Sequence, residues 1–343
     1  MATMKEIAQL SGVSRGTVDR VINNRGGVDQ GTCAKVLRAA EQLNYSPNKI
    51  ARSLAARKRN YLFTFILFSP IKAPFFAQIH DGILQEAEEL RESGVTVKIR
   101  VAETWEAQAF IEQLDGAVAD GSAGIAIAGI NEPALVERIR QIIASGIPVI
   151  TVNSEIPNCG QLAYVGSNAF QAGWTAAELI RLIQRDEKIV LGVILGFRSS
   201  KCHTGRFEGL KAGLNSMGIQ WELVFVECNN DDDFDSFDIV RQQLRLHPEI
   251  NTLFLATGSG AYGACRAVES AGMAKKLRVV CYDNTPLLAE MLKKQVISAT
   301  VCQEPERQGA EPLRILFDYL ALGMNPERNV VYTDNEIMIR ECL

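Results

Sequence analysis

Arg15 and Arg20 share the stretch GVSRGTVDRVINN with Ser14, Gly16, Thr17, Asp19 and Asn23. At about 100° per residue, Arg15, Gly16, Asp19, Arg20 and Asn23 fall within an arc of roughly 140° on one side of a helix. Val18, Val21 and Ile22 take the other side. Such an arc can be a solvated helix face. It can also read base edges. An arginine donates two hydrogen bonds to O6 and N7 of one guanine, and a carboxylate accepts from a cytosine amino group or orients an arginine one turn away. Gly16 is the odd member, since glycine costs about 1 kcal/mol relative to alanine inside a helix. It reads no base, but a bare backbone can approach a groove closely.

Other chemistry finds little support. The chain has three histidines (His80, His203, His247) and shows no HExxH, no Ser/His/Asp order and no paired-carboxylate motif. Eight scattered cysteines form no CxxC pair, which points to a reducing compartment, free thiols and no zinc site. Cys202-His203 lacks a second ligand pair. GSGAYG, from Gly258 to Gly263, has the outline of a dinucleotide fingerprint with Asp283 beyond it, but it falls late in the chain. No cofactor, no metal and no enzymatic activity are expected. No apolar run reaches membrane-spanning length and the first residues lack a signal-peptide core, so a cytoplasmic protein without membrane contact is expected.

The elements that must hold the arginines can be read locally. Ser14 suits a helix N-cap. TMKEIAQLSG, from Thr3 to Gly12, reads as a preceding helix with Ile7, Ala8 and Leu10 on its apolar side. Ala8, Gly12 and Val18 then have the spacing of a helix-turn-helix: a small residue at the crossing, a glycine at the turn, a β-branched plug. Val36, Ala40 and Leu43 give a third helix its inner stripe. Three short helices presenting Arg15 and Arg20 make a DNA reader. Charge agrees: residues 1–60 hold 11 Lys/Arg against 4 Asp/Glu, a net of +7, while the remainder carries a net of −11. Phosphate neutralisation therefore belongs to the head.

With TMKEIAQLSGVSRGTV, RVINN and LNYSPNKIARSLA in place, the chain resembles the lactose/galactose repressor family of bacterial transcription regulators. The resemblance implies contacts to double-stranded operator DNA from Thr3, Ser14, Arg15, Gly16, Thr17, Asp19, Arg20 and Asn23. It also implies a hinge helix after Pro47 that orders on the operator, with Arg52 at the DNA and Leu54 wedged into a minor-groove base step. A homodimer, reading two half-sites, comes with it. The expected division is a helix-turn-helix domain at 1–46, a hinge helix and linker at 47–59, and an effector-binding domain at 60–343.

That larger unit alternates short apolar runs (61–68, 95–101, 123–129, 147–153, 188–196, 251–257, 277–283, 297–303) with amphipathic segments (75–93, 132–145, 168–185, 204–217, 304–322). Alternation of this kind predicts parallel sheets covered on both faces, with ligands at the carboxyl ends of strands. Through PFFAQIHDG, IPVITVNSEIP, LAYVGSNAFQAG, TGRFEGL, YDNTP and ATVCQEPERQG it resembles the type I periplasmic, ribose-binding-like proteins. The fold expected is thus an all-α helix-turn-helix head on an α/β two-lobed body, with lobe 1 at about 60–167 and 304–330 and lobe 2 at about 168–303 and 331–343. The resemblance implies a small-molecule, sugar-like effector held by Phe75, Phe76, Asn153, Arg206, Gly258, Asp283 and Gln303. The phenylalanines can equally be core, and Asp283 can equally cap the helix after it. Departures stand at Gly258-Ser259, Asn153-Ser154 and Ala73, where the sugar-binding relatives carry Asn-Asp, Asp-Arg and Asn. Arg198, Lys201 and Arg206 also crowd one helix start, an arrangement that suits a sugar phosphate or sugar acid as well as solvent.

Overall fold

The computed structural model describes residues 3–22, 26–43, 45, 59–69, 71, 73–183 and 188–343. Asn23, Arg52, Leu54 and residues 47–58 of the expected hinge lie outside the described residues.

Local rules build the head. Helix α1, Met4–Ser11, starts with a capping box: Glu6 N donates to Thr3 Oγ1, and Thr3 N donates to Glu6 Oε2 at 2.7 Å. Gly12 ends it at φ +68°. Helix α2, Arg15–Ile22, begins at Ser14, whose Oγ accepts from Thr17 N at 3.0 Å. Helix α3, Gln30–Gln42, is capped by Asp29. Ile7, Val18, Val36, Ala39 and Ala40 form the core, with Ala8 and Leu43 packed at its edge. Leu10, expected inside, is 52% exposed, because Ile7 already fills the α1 side of so small a core.

Two six-stranded sheets make the body. The first runs β11-β5-β4-β3-β1-β2, all parallel, from β1 (Tyr61–Phe68), β2 (Val95–Ala102), β3 (Gly124–Ile127), β4 (Val149–Val152), β5 (Ala163–Ser167) and β11 (Val330–Thr333). Phe63, Phe65 and Leu67 of β1 pack under α4 (Pro74–Arg91) and α12 (Pro305–Leu322). Ile66 points to the opposite face, under α5 (Ala107–Ala119) and α6 (Pro133–Ala144). The second sheet runs β12-β10-β9-β8-β6-β7, from β6 (Lys188–Leu195), β7 (Gln220–Cys228), β8 (Thr252–Leu255), β9 (Arg278–Tyr282), β10 (Ala299–Cys302) and antiparallel β12 (Glu336–Met338). Helices α7 (Ala169–Ile183) and α8 (Lys201–Ser216) cover one face. Helices α9 (Asp233–Leu246), α10 (Ala261–Ser270) and α11 (Pro286–Lys293) cover the other. Buried strands with apolar residues on both faces explain why continuous apolar runs marked them in the sequence. β7 is an edge strand and largely unburied, so it carried no such run. Among the described residues no helix is long and apolar enough to cross a membrane.

The chain passes between lobes near 168, 303 and 335. The third crossing corrects the expected boundary at 330/331. Val330–Thr333 pairs in register with Tyr164–Ser167 of the first sheet, and only β12 returns to the second. An exposed edge of β5 offers unpaired backbone groups, and a four-residue run takes them whichever lobe its neighbours join.

Two helices leave these crossings directly and are seated without room for a side chain. A β-carbon on Gly173 in α7 would overlap the carbonyl oxygen of Arg206 in α8, and one on Gly309 in α12 would overlap that of Ile79 in α4. Gly309→Ala must push α4 and α12 apart, a strain of about 1–3 kcal/mol or more. Its urea midpoint is expected to fall well below the parent's; an unchanged midpoint would contradict this close seating.

Candidate functional site

The carboxyl ends of the parallel strands face one another across the lobes, and the loops after them line a cleft. Lobe 1 offers mostly apolar surface. Phe75 and Phe76 stand in the first turn of α4, 5.4 Å apart edge to face. Trp105, after β2, stacks on Phe68 at 4.3 Å. Asn153 and Ser154 follow β4. Lobe 2 offers polar groups: His203 and Arg206 on α8, Asp231 after β7, Thr257 after β8, Asp283 after β9 and Gln303 after β10. Phe197 is its aromatic member and meets Trp105 across the lobes at 5.7 Å.

Arg206 lies at the cleft floor, 2% exposed. Its guanidinium sits 3.8 Å above the Tyr282 ring and donates from Nη1 to Ala256 O at 2.9 Å, while Nε and Nη2 are buried without acceptors among the described residues. A buried guanidinium with two idle donors is poised for a ligand's oxygens. Asp283 shares the floor. Its Oδ1 accepts from Gln303 Nε2 at 2.7 Å, and burial raises its pKa against the opposing pull of Arg206 and Gln303. It does not cap α11, because Thr285 does so, accepting from Leu288 N. Asp231 Oδ1 accepts from Thr257 Oγ1 at 2.9 Å. Loss of water pushes Asp231 up to about 7, with the Asp283 charge adding to the rise and Thr257 and Arg206 opposing it. His203 is held neutral: burial and the Arg206 charge lower it to about 3, and its Nδ1 accepts from Phe197 N at 3.1 Å.

Backbone strain collects here too. Asn153, Asp231, Asp283 and Glu304 all have positive φ, between 50° and 69°. Non-glycine residues hold that region only when surroundings enforce it, which is typical of functional sites.

Six of the seven expected effector residues (Phe75, Phe76, Asn153, Arg206, Asp283, Gln303) border one cleft. Gly258 does not line it. It backs Asp283 instead, since a β-carbon there would overlap the carboxylate. The other GSGAYG glycines have packing roles as well: Gly260 opens α10 at φ +74°, and Gly263 abuts the Asp233 carbonyl. The three cations do not converge as an anion site. Arg206 is buried at the floor, while Arg198 and Lys201 are exposed and off the cleft lining. Trp105, Phe197, Asp231 and Thr257 line the cleft beside the expected residues. Trp105 and Thr257 follow or end apolar runs legible in the sequence, so position past a strand end is the signal that marks them. Asp231 follows the edge strand that left none. Among the described residues, no group of three or more His, Cys, Asp or Glu is placed to hold a metal.

In the head, Ser14, Arg15, Gly16 and Arg20 are exposed, and Thr17 and Asp19 are half-buried. Ser14 and Thr17 hydroxyls lie 2.9 Å apart. Thr3 is exposed with its hydroxyl on Glu6, so it holds α1 as well as facing outward.

Comparison with known proteins gives two family matches: "Bacterial regulatory proteins, lacI family" over residues 3–48 and "Periplasmic binding protein domain" over residues 65–324. The chain is 24% identical over 324 residues to the HTH-type transcriptional repressor PurR of Actinobacillus pleuropneumoniae serotype 3 (strain JL03), covering 94% of this chain and 92% of the relative. It is 25% identical over 275 residues to a D-ribose/D-allose-binding protein of Pseudomonas aeruginosa, covering 77% and 84%. A solute-binding protein of an ABC transporter from Burkholderia graminis, solved with D-arabinose, superposes with a TM-score of 0.75 at 23% identity, covering 82% of this chain and 96% of that one.

Asp231 gives the site a pH signature. Its folded-state pKa stands above the ordinary 3.8, so the folded chain keeps a proton that the unfolded chain has released. Stability from this group is present at low pH and is lost as pH rises through about 7. Asn keeps the oxygen that Thr257 uses and cannot ionise. Asp231→Asn is therefore expected to melt above the parent at pH 8 and close to it at pH 4. A gap that does not change with pH would show that the carboxylate is not starved of water.

Proposed function

Because the chain belongs to the periplasmic binding protein domain family and joins that body to a lacI-family regulatory head, we propose that it is a sequence-specific DNA-binding transcriptional repressor controlled by a sugar held between its lobes. The observation that carries the DNA half is Gly16. Among the described residues, a β-carbon there would meet only Ser14 Oγ, at an ordinary 3.6 Å, and its φ needs no glycine. The packing of the described head residues does not ask for the missing side chain, yet α2 bears the cost in helix propensity. Close approach of the backbone to a groove supplies the reason, with Arg15 beside it as the base reader.

The cleft supports an uncharged polyhydroxy ring as effector. Phe75 and Phe76 present apolar faces to a sugar's C–H face, as aromatic side chains commonly do at amphipathic ligands. Asp231 and Asp283 accept from hydroxyls, and Arg206 donates to ring or hydroxyl oxygens. Two carboxylates against one arginine disfavour a phosphate or acid. Hydroxyls donating to Asp231 favour its ionised form, so effector affinity falls on acidification below about pH 7. Two copies of the chain read two half-sites in the cytoplasm. Effector and operator are coupled because both depend on how the lobes close, with coupling of roughly 1–3 kcal/mol.

Two experiments test this reading. In the first, operator DNA is selected from a random pool and titrated at fixed salt. Arg15→Ala should lose about 1–3 kcal/mol on the selected site and much less on random DNA. Equal losses on both would leave Arg15 as a phosphate contact only. In the second, a thermal-shift screen of sugars and sugar phosphates is followed by calorimetry. Neutral sugars should stabilise and phosphates should not. Asp283→Asn should keep the fold and the operator while losing at least tenfold in sugar affinity, which is 1.4 kcal/mol. Unchanged affinity would move the effector away from the floor of this cleft.

A further inference from the structure

Trp105 stands on lobe 1 in the turn between β2 and α5. Its indole is fixed before any ligand arrives. It stacks on Phe68 with 17° between the planes, and it packs against Phe76 at 5.7 Å and Phe110 at 5.9 Å. Nε1–H can only donate, and here it is buried with no acceptor among the described residues. Buried donors without partners are rare and costly in folded proteins. The same ring borders the cleft and meets Phe197 of the other lobe. Across the cleft, Arg206 Nε and Nη2 are idle in the same way. Both residues line the one cleft, so each lobe brings to it a buried donor that has no acceptor among the described residues.

We propose that Trp105 determines effector specificity, its indole N–H donating to one sugar oxygen from lobe 1 while Arg206 donates to another from lobe 2. The assignment rests on the sugar reading of the cleft. Because an N–H accepts nothing, the ligand atom it meets must carry a lone pair: a hydroxyl or ring oxygen fits, whereas a methylene or an ammonium at that position is rejected. A buried donor left unpaired by a ligand that lacks the matching oxygen is the basis of strong discrimination between close analogues. The lobe contact through Phe197 places this reading at the seam that closes, so the oxygen is read only as the lobes meet.

Trp105→Phe tests the assignment, since it keeps an aromatic ring in the stack and removes the donor. The full-length protein is titrated by calorimetry with D-ribose, D-allose, D-arabinose and D-galactose, then with the monodeoxy derivatives of each sugar that binds the parent. Trp105→Phe is expected to lose tenfold or more for the intact sugar. One monodeoxy sugar should bind parent and variant equally, and it identifies the oxygen. Phe197→Leu trims the seam but keeps the N–H, so it should weaken every sugar by a similar factor and still discriminate against that deoxy derivative. A loss spread evenly over the whole deoxy series would reduce Trp105 to packing and overturn the assignment. Failure of all four sugars to bind the parent would overturn the sugar reading, and this assignment with it.

Discussion

The guanidinium of Arg206 is the group around which the body is arranged. A buried positive charge is tolerated only when its surroundings replace water. Here the Tyr282 ring lies beneath it, the Ala256 carbonyl accepts one N–H, and the Asp283 carboxylate lies within its field. Its main chain is equally constrained, since the α7 backbone at Gly173 presses on its carbonyl. Two strands and two helices therefore converge on this one residue. What they leave open is two donors at the cleft floor. The charge is held rigidly and incompletely paired, the condition for binding a ligand without first reorganising the site.

The same floor is wired to the crossings between lobes. Gln303 donates to Asp283, accepts from Ser167 Oγ at 3.2 Å, and through its carbonyl accepts from Gln308 Nε2 at 2.8 Å. Gln308 in turn accepts from Asn153 Nδ2. Next to Gln303, Glu304 takes a positive φ and its carboxylate accepts from Asp334 N at 2.8 Å, joining the second crossing to the third. Gln78 of α4 adds a direct tie, donating to Asn284 O on the far lobe at 2.8 Å. A ligand that engages Asp283 thus acts on a residue one step from two crossings. Contiguity of this kind is the physical requirement for binding in the cleft to bias lobe closure.

The cleft carries costs that the rest of the fold does not. Strained φ values, idle buried donors at Trp105 and Arg206, and a carboxylate at Asp231 that loses its charge near neutrality all gather in one place. Each lowers the stability of the unliganded protein, and each is relieved or used when hydroxyls and oxygens fill the space. The large cores on both faces of each sheet supply the surplus that tolerates them.

Sequence alone determined the parts governed by neighbours along the chain. Ser14 as a cap, Gly12 as a turn, the exposed arc of Arg15 and Arg20, and the buried strands all follow from rules that act over a few residues. It also marked the ends of strands, and so most of the cleft. Only the tertiary structure decided which groups meet. Thr285, not Asp283, caps α11, freeing the carboxylate for the cleft. Arg198 and Lys201 stay at the surface while Arg206 sinks. Asp231 enters from an edge strand with no apolar signature, and β11 joins the first lobe. The ties that settle these matters span 206 residues for Gln78 and Asn284 and 136 for Ser167 and Gln303. Local periodicity and capping carry no information at such separations; the packing of two sheets against their shared helices brings those residues together.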